Sequence, residues 1–254
     1  MGTVDFASVS KTFDGKTVVR ARDEVDLHIA EGEFVALLGP SGCGKSTLLN
    51  ILAGFERQTS GSVQFDGRAI AKPGPDRGVV FQEASLLPWL TVWDNVVFGP
   101  KVQGVARSIY EPKALEILKI VGLEGFKQAL PVQLSGGMRQ RVGIARVLVM
   151  EPRALLMDEP FGALDAQTRL SMQELLLGVW QKLKTTVLFV THDIDEAILL
   201  SDRVCVMSAR PGRISRDIPI TLPRPRSIND LTNPAFIQFK AAIMAEMRGA
   251  HGAH

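Results

Sequence analysis

The residue types best suited to chemistry form a glycine-rich loop followed by a lysine and two hydroxyl groups. The loop reads Gly39, Pro40, Ser41, Gly42, Cys43, Gly44, Lys45, Ser46 and Thr47. A glycine-rich turn between a strand and a helix points backbone N–H groups at a polyphosphate, because no Cβ blocks the approach. Lys45 is then placed to reach the β and γ phosphates of a nucleotide, and the Ser46 hydroxyl to hold Mg²⁺. The alternative is a tight turn that needs glycine for its geometry alone.

Two adjacent carboxylates follow an apolar run. Asp158 and Glu159 come directly after residues 154–157, which are typical of a buried strand. Paired acids at the end of such a strand need counter-charge, so this pattern favours a strand tip that enters a site. The first acid suits Mg²⁺ bound through water, and the second suits the orientation or deprotonation of an attacking water. The alternative is a strand that ends in solvent.

Two more apolar runs end in polar side chains. Gln82 closes the run that begins at Gly78, and His192 closes the run that begins at Val187. Ligands bind at the carboxyl ends of strands in open α/β sheets, so we expect both side chains to lie at the site. For His192 the alternative is the structural role that a lone histidine usually has.

A second helix start also suits an anion. Ser135 is a good N-cap residue, and Gly136 and Gly137 leave backbone amides bare at the start of a periodic helix. Alone, such a cap means little. It gains significance from the phosphate loop upstream and from the carboxylates downstream, which are followed by a turn that ends in Asp165.

The elements around these motifs predict an α/β chain. Residues 34–38 ahead of the phosphate loop are typical of a buried strand, and residues 48–55 behind it repeat at helical spacing. Residues 3–35 alternate like antiparallel strands around a turn, and Phe13 before that turn suits either stacking on a purine or core packing. Residues 93–127 are mostly helical, and a tail helix begins near Pro234.

The segment 84–91 is apolar and interrupted by a proline. It suits either a docking surface for an apolar partner or the core of a helical region, and composition alone favours core. Within residues 93–127, Leu115, Leu118 and Val121 are expected to share one buried face.

Composition narrows the classes of function. The 254 residues carry 29 Lys plus Arg and 27 Asp plus Glu, a net charge of +2, which gives no electrostatic footprint for nucleic acid. Two cysteines do not support a disulfide framework and favour a reducing cytosol. No apolar stretch approaches the roughly 18 residues of a spanning helix, and no signal peptide is expected at the start.

The sequence contains six motifs: the phosphate loop, Gln82, the Ser135 turn, the Asp158–Glu159 pair, the Asp165 turn and His192. In this chain order they resemble the ATP-binding subunit of an ABC transporter, and the resemblance covers nearly the whole chain. Residues 77–82 with 87–89, together with 161–165 and 209–213, are similar to the branch that serves importers of taurine, other sulfonates and nitrate. The resemblance implies an ATP-hydrolysing subunit that couples hydrolysis to uptake of a small oxyanion. The alternative is an ABC-type ATPase with a role other than transport.

The resemblance also implies the fold class. It is α/β, with a P-loop RecA-like core, an N-terminal antiparallel β region and an inserted α-helical lobe. Residues 1–254 would form one nucleotide-binding domain. Within it, residues 1–84 and 151–220 would form the β region and the core, 85–150 the helical lobe, and 221–254 a linker and C-terminal helix.

Family roles carry over to the matching positions, with ATP and Mg²⁺ as cofactors. Phe13 would stack on adenine, Thr47 would contact the α phosphate, and Asp165 would communicate across a dimer. The metal would be addressed by Ser46, Gln82 and Asp158. The catalytic set would be Glu159 acting on the water, His192 sensing the γ phosphate, Gln82 and Lys45. The nucleotide would be enclosed between the phosphate loop, Gly39 to Thr47, and the Ser135, Gly136 and Gly137 turn of a second copy.

The implied partners are a second copy of the chain, transmembrane permease subunits and, indirectly, a solute-binding protein. The implied place is the cytoplasmic face of the inner membrane, as a peripheral subunit, with no nucleic-acid partner. Other classes fit less well. A GTPase would need an Asn-Lys-x-Asp base reader, which the sequence lacks. A DNA-repair ATPase would need a long coiled coil or a zinc insertion between the two nucleotide motifs, and the interval from Ser46 to Ser135 is too short and lacks both. A non-catalytic module would bind nucleotide without releasing phosphate.

Overall fold

The computed structural model describes residues 2–12, 24–208 and 212–251, with side chains up to residue 248. Phe13, the predicted turn after it and residues 209–211 lie outside the described residues. The role predicted for Phe13 therefore stays a prediction.

Ten strands form two sheets in the described part of the chain. They are β1 (Val4–Ser10), β2 (Val25–Ile29), β3 (Phe34–Leu38), β4 (Ser60–Phe65), β5 (Arg68–Ala69), β6 (Arg77–Val80), β7 (Ala154–Asp158), β8 (Thr186–Thr191), β9 (Arg203–Met207) and β10 (Ile214–Pro219). The first sheet has the order β2-β1-β4-β5 and is antiparallel. The second has the order β10-β9-β3-β8-β7-β6 and is parallel except at β10.

Eight α-helices accompany these strands in the described ranges. They are α1 (Lys45–Ala53), α2 (Val92–Val96), α3 (Phe98–Val102), α4 (Arg107–Ile120), α5 (Gly136–Leu148), α6 (Ala166–Leu183), α7 (Ile194–Leu200) and α8 (Pro234–His251). Short 3₁₀ turns cover Glu124–Phe126, Pro131–Gln133 and Ile228–Thr232. None of the helices within residues 2–12, 24–208 and 212–251 is long and apolar enough to cross a lipid bilayer.

The parallel sheet brings the predicted site strands together. The β3 residues are all buried, as are those of β8, which fits strands covered on both faces. In the register of the sheet, Leu38 of β3 lies opposite Thr191 of β8, and Asp158 of β7 lies opposite Val190. The carboxyl ends of β3, β7 and β8 therefore meet at one edge, and the predicted α/β fold is confirmed.

The N-terminal β region is antiparallel, as predicted. Val4, Phe6 and Val9 of β1 are buried between more exposed neighbours, which gives the strand one apolar face. That face packs on the same core as α1 and one side of the parallel sheet. The β region is thus attached directly to the element that follows the phosphate loop.

A separate apolar cluster joins α2, α4 and α5. Its buried members include Val96, Leu118 and Val142. The predicted face of α4 is only partly right, since Leu118 and Val121 are buried but Leu115 is exposed. Ala114 takes the inward position instead. The limits of 85–150 predicted for a helical lobe stay a prediction.

The C-terminal segment is attached to the end of α7 by a buried arginine. Arg226 donates to the carbonyl oxygens of Ile198, Leu199 and Ser201 near the end of α7, and to those of Ile220 and Leu222. Burial, aided by the positive charge of Arg224, lowers the pKa of Arg226 to about 10. In α8, Phe236 and Ile243 are buried in the apolar core that also contains Phe34 of β3.

Candidate functional site

The glycine-rich loop forms an open cradle at the end of β3. Gly42 and Gly44 have φ angles of 80° and 101°, in the left-handed region that favours glycine. A Cβ built at either position meets no atom of the described residues within 4 Å, so this side of the loop is open toward them. Gly44 is the N-cap of α1, which directs the first free N–H groups of the helix toward the loop.

Lys45 lies across this loop with its ammonium group held by backbone oxygens. Its Nζ donates to the carbonyl of Gly39 at 2.7 Å and to that of Pro40 at 3.0 Å, and the residue is only 4% exposed. Burial raises the pKa of the adjacent Cys43 thiol, although the Lys45 charge opposes that rise. The loop therefore contains one buried positive charge, on Lys45, and a buried thiol, on Cys43.

A contact that sequence reasoning missed supports the loop from behind. A Cβ on Gly212 would lie 2.0 Å from the carbonyl oxygen of Cys43, and a Cβ on Gly39 would lie 2.7 Å from that of Met207. Met207 and Gly212, which lie on either side of residues 209–211, thus both pack directly against the loop backbone. The only sequence signal was the glycine at position 212, which was noted for its resemblance to a family motif.

Ser46 and Asp158 meet at the edge where β3 and β7 end. The Ser46 hydroxyl donates to Asp158 Oδ1 at 2.9 Å, which brings together two residues 112 positions apart. Burial raises the pKa of Asp158, and the nearby Glu159 charge adds to the rise, while the Ser46 hydrogen bond opposes it. A hydroxyl beside a carboxylate is an oxygen-rich pair of the kind that Mg²⁺ prefers.

Glu159 and His192 also face each other. The Nδ1 atom of His192 lies 3.0 Å from Glu159 Oε2, within hydrogen-bond distance. The backbone of Glu159 has a φ of 44°, and its N–H donates to the carbonyl of Val190 at 2.9 Å. The strand thus ends in a fixed left-handed turn that aims the carboxylate at the histidine.

Gln82 reaches the same place from the neighbouring strand. It is exposed just beyond β6, and a Cβ on Gly162 would lie 3.1 Å from its Nε2 and 3.7 Å from Glu159 Oε2. The structure therefore brings Gln82, Glu159 and His192 together around Gly162. Of the six sequence motifs, those at the carboxyl ends of β3, β6, β7 and β8 share one site.

The Ser135 turn stands apart from this group. Ser135 caps α5 by accepting from the Met138 N–H at 3.3 Å. Within the described residues, no hydrogen bond joins the Ser135 to Gly137 turn to the phosphate loop. A Cβ on Gly137 would instead lie 2.4 Å from Thr168 Cγ2, so the turn packs on the start of α6.

Asp165 is the N-cap residue of that helix. Its carboxylate accepts from the N–H of Thr168 at 3.0 Å and from the Thr168 hydroxyl at 2.6 Å. The Thr168 side-chain bond is the main reason that the pKa of Asp165 lies below its ordinary value, and the backbone N–H of Thr168 adds to it. The Ser135 and Asp165 turns are therefore neighbours, joined through Thr168.

A phosphate loop at the end of a parallel strand, with a hydroxyl–carboxylate pair and a glutamate–histidine pair beside it, defines a P-loop ATPase. The chain belongs to the ABC transporter family, whose model matches residues 22–162, more than half of the chain.

Relatives and solved structures agree with this assignment. The chain is 56% identical to the taurine import ATP-binding protein TauB of Rhizobium johnstonii, over 83% of this chain and 80% of the relative. It is 45% identical to the nitrate import ATP-binding protein NrtD of a Synechocystis species, over 97% and 95%. Among solved structures, a dimeric post-hydrolysis state of the ATP-binding cassette MJ0796 with ADP and Pi matches with a TM-score of 0.73 at 35% identity, over 87% of this chain and 100% of that one.

Proposed function

We propose that this chain hydrolyses ATP as the energy-supplying subunit of an importer for a small oxyanion such as taurine, another sulfonate or nitrate. The observation that carries the proposal is the convergence of the Ser46–Asp158 and Glu159–His192 pairs beside the phosphate loop. The names of the relatives, which are import proteins for taurine, nitrate and aliphatic sulfonates, favour transport over another role for the same ATPase.

The donor groups fit a nucleotide with its metal. The open side of the loop at Gly42 and Gly44 offers backbone N–H groups to phosphate oxygens, and Lys45 supplies a positive charge there. Ser46, Asp158 and Gln82 offer the oxygen atoms that would hold Mg²⁺. When bound, Mg²⁺ would neutralise charge on the phosphate oxygens.

Glu159 is the group placed to accept a proton from an attacking water, since its carboxylate lies at the strand edge next to the loop. His192 holds Glu159 Oε2 through its Nδ1 atom and thereby fixes the direction of the carboxylate. Orientation of this kind lowers the barrier because the water need not be positioned during the reaction.

A second copy of the chain would complete the site. Within one chain the Ser135 turn has no hydrogen bond to the phosphate loop among the described residues, yet it offers a capped helix start suited to a phosphate. The dimeric state of the related cassette supports pairing of two copies. In the pair that we propose, each phosphate loop would face the Ser135 turn of the other copy. Two half-sites for one nucleotide would then come from different copies.

The permease would dock on the segment 81–91. Sequence composition favoured core for residues 84–91, but none of them is buried and Trp89 is 72% exposed. The segment is nonetheless ordered by Asn95, whose side chain accepts from the Leu87 N–H at 2.9 Å and donates to the carbonyls of Leu87, Leu90 and Thr91. An exposed aromatic on a fixed loop is a feature of interaction surfaces.

The solute-binding protein belongs to the same proposal as an indirect partner, on the other side of the permease. Because the chain uses ATP, we place it at the cytoplasmic face of the membrane that holds the permease. Solute selection would then lie outside this chain.

Uptake by cells that lack this chain's gene tests the proposal. We expect such cells to lose uptake of taurine, another sulfonate or nitrate, and to regain it with the intact gene but not with Lys45→Ala. Lys119→Ala, which removes an exposed lysine on α4, is the matched control and should restore uptake. Unchanged uptake of all three solutes in the deletion strain would contradict the proposed solute class.

A further inference from the structure

A buried carboxylate lies behind His192 and is not used in the proposed mechanism. Glu196 is 4% exposed, and its carboxylate accepts from the hydroxyl of Thr191 at 2.7 Å and from Nε2 of Gln173 at 3.1 Å. Burial raises the pKa of Glu196. Burial of a carboxyl group costs folding free energy unless its hydrogen bonds compensate for it. We therefore expect a local role of Glu196 beside the site.

Glu196 is connected to the backbone on both sides of His192. Thr191, which bonds to it, is the residue before His192, and the N–H of Asp193 donates to the same Thr191 hydroxyl at 3.0 Å. Asp193 in turn accepts from the backbone N–H of Glu196 at 3.1 Å as the N-cap of α7. These bonds form a closed frame that sets the position of the His192 backbone.

Arg169 of α6 connects this frame to the Asp165 turn. Its Nη2 donates to the carbonyl oxygen of Leu164, the residue before Asp165, at 3.2 Å. Its Nη1 lies 3.7 Å from Asp193 Oδ2, and its Nε lies 3.9 Å from Glu196 Oε1. One guanidinium therefore faces both the turn assigned to the dimer interface and the segment that carries His192.

The contact between Arg169 Nε and Glu196 Oε1 is longer than a hydrogen bond. The Nε atom of Arg169 is buried and has no hydrogen-bond partner among the residues that the structure describes. A shift of about 1 Å would bring it within hydrogen-bond distance of Glu196. A small cavity lined by Arg169, Glu159 and His192, among others, lies at this junction.

We propose that Arg169 is a positioning residue that couples the Leu164–Asp165 turn to the His192 segment, so that contact at the dimer interface sets His192 against Glu159. This inference rests on the proposed function, since it takes Asp165 as an interface residue and His192 as part of the catalytic set. An ion pair with a purely structural role would contribute to stability without changing turnover.

The test compares steady-state ATP hydrolysis by the full chain and by Arg169→Gln. We expect kcat to fall about tenfold while the KM for ATP changes less than about twofold, because misplacement of a reacting group affects turnover and leaves the phosphate loop intact.

Lys182→Gln, an exposed substitution on the same helix, is the control and should match the wild type. Arg169→Lys, which keeps the charge, replaces Arg169→Gln if the latter does not fold, with the same outcomes. Wild-type kcat in the Arg169 variant, with only a lower melting temperature, would leave Arg169 as a structural ion pair and overturn the proposal.

A double-mutant cycle with His192→Ala separates this inference from the proposed function. If Arg169 acts through His192, adding Arg169→Gln to His192→Ala should lower kcat less than about twofold further. A full tenfold loss on top of His192→Ala would overturn the coupling while leaving the proposed function intact. Undiminished hydrolysis by His192→Ala alone would instead overturn the catalytic assignment of His192, and the coupling with it.

Discussion

At the scale of single residues, the site depends on side chains that are held by the ends of strands. Asp158 ends β7 and bonds to Ser46 at the start of α1, while Glu159 turns away through a left-handed backbone to meet His192. Adjacent acids are thereby separated into two different pairs. In the proposed mechanism, the first pair would hold the metal and the second would orient the water.

Glu159→Gln tests the role of the second acid. We expect it to lower the turnover of ATP at least about a hundredfold while the Kd for ATP stays within a few-fold, because the amide cannot accept a proton but fills the same space. Steady-state phosphate release and equilibrium binding measure the two quantities. Glu174→Gln, at an exposed position of α6, is the control. Hydrolysis by Glu159→Gln near the wild-type rate would refute the assignment.

Much of this residue-scale arrangement was predictable, and the rest depended on packing. Gln82, Glu159 and His192 each follow an apolar run, and parallel strands bring such ends to one edge. Arg169 and Gly212 gave no comparable signal. The proposed role of Arg169 depends on how α6 places it beside Asp193 and Glu196. The need for glycine at 212 depends on how closely that residue approaches the carbonyl of Cys43.

At the scale of elements, the exposed but ordered segment 81–91 is the surface on which we propose that the permease docks. Phe81, at its start, stacks on Phe55 with ring centroids 6.1 Å apart, and both rings are partly exposed. The helical spacing of residues 48–55 extended the predicted helix to Phe55, whereas α1 ends at Ala53 and Gly54 has a left-handed backbone. Periodicity identifies a face but does not show where a helix stops.

Trp89→Ala tests the docking surface. We expect the affinity for permease-containing membranes to fall at least tenfold, as is common for a central aromatic at an interface, while ATP hydrolysis by the free chain is unchanged. Co-sedimentation with those membranes measures the affinity. Ile109→Ala removes an exposed apolar side chain from α4 and serves as the control. Undiminished membrane binding by Trp89→Ala would exclude this segment as the docking surface.

At the scale of the whole molecule, the chain carries two helix starts suited to phosphate that do not meet within one copy. Gly44 opens α1 at the phosphate loop, and Ser135 opens α5 against Thr168 of α6. Sequence spacing identified both starts. The family resemblance assigned them to different copies, and the fold gives the physical reason, since α5 packs with α2 and α4 in a cluster apart from the core around α1.

The central claim is that a second copy completes the nucleotide site, and analytical ultracentrifugation of Glu159→Gln tests it most directly. Because this variant should hydrolyse ATP slowly, the ATP-bound pair of chains should persist. We therefore predict a monomer without nucleotide and a dimer with ATP. Adding Ser135→Arg to this variant should prevent the dimer while leaving ATP binding within a few-fold. A chain that stays monomeric when saturated with ATP, or a dimer that Ser135→Arg does not weaken, would contradict the account.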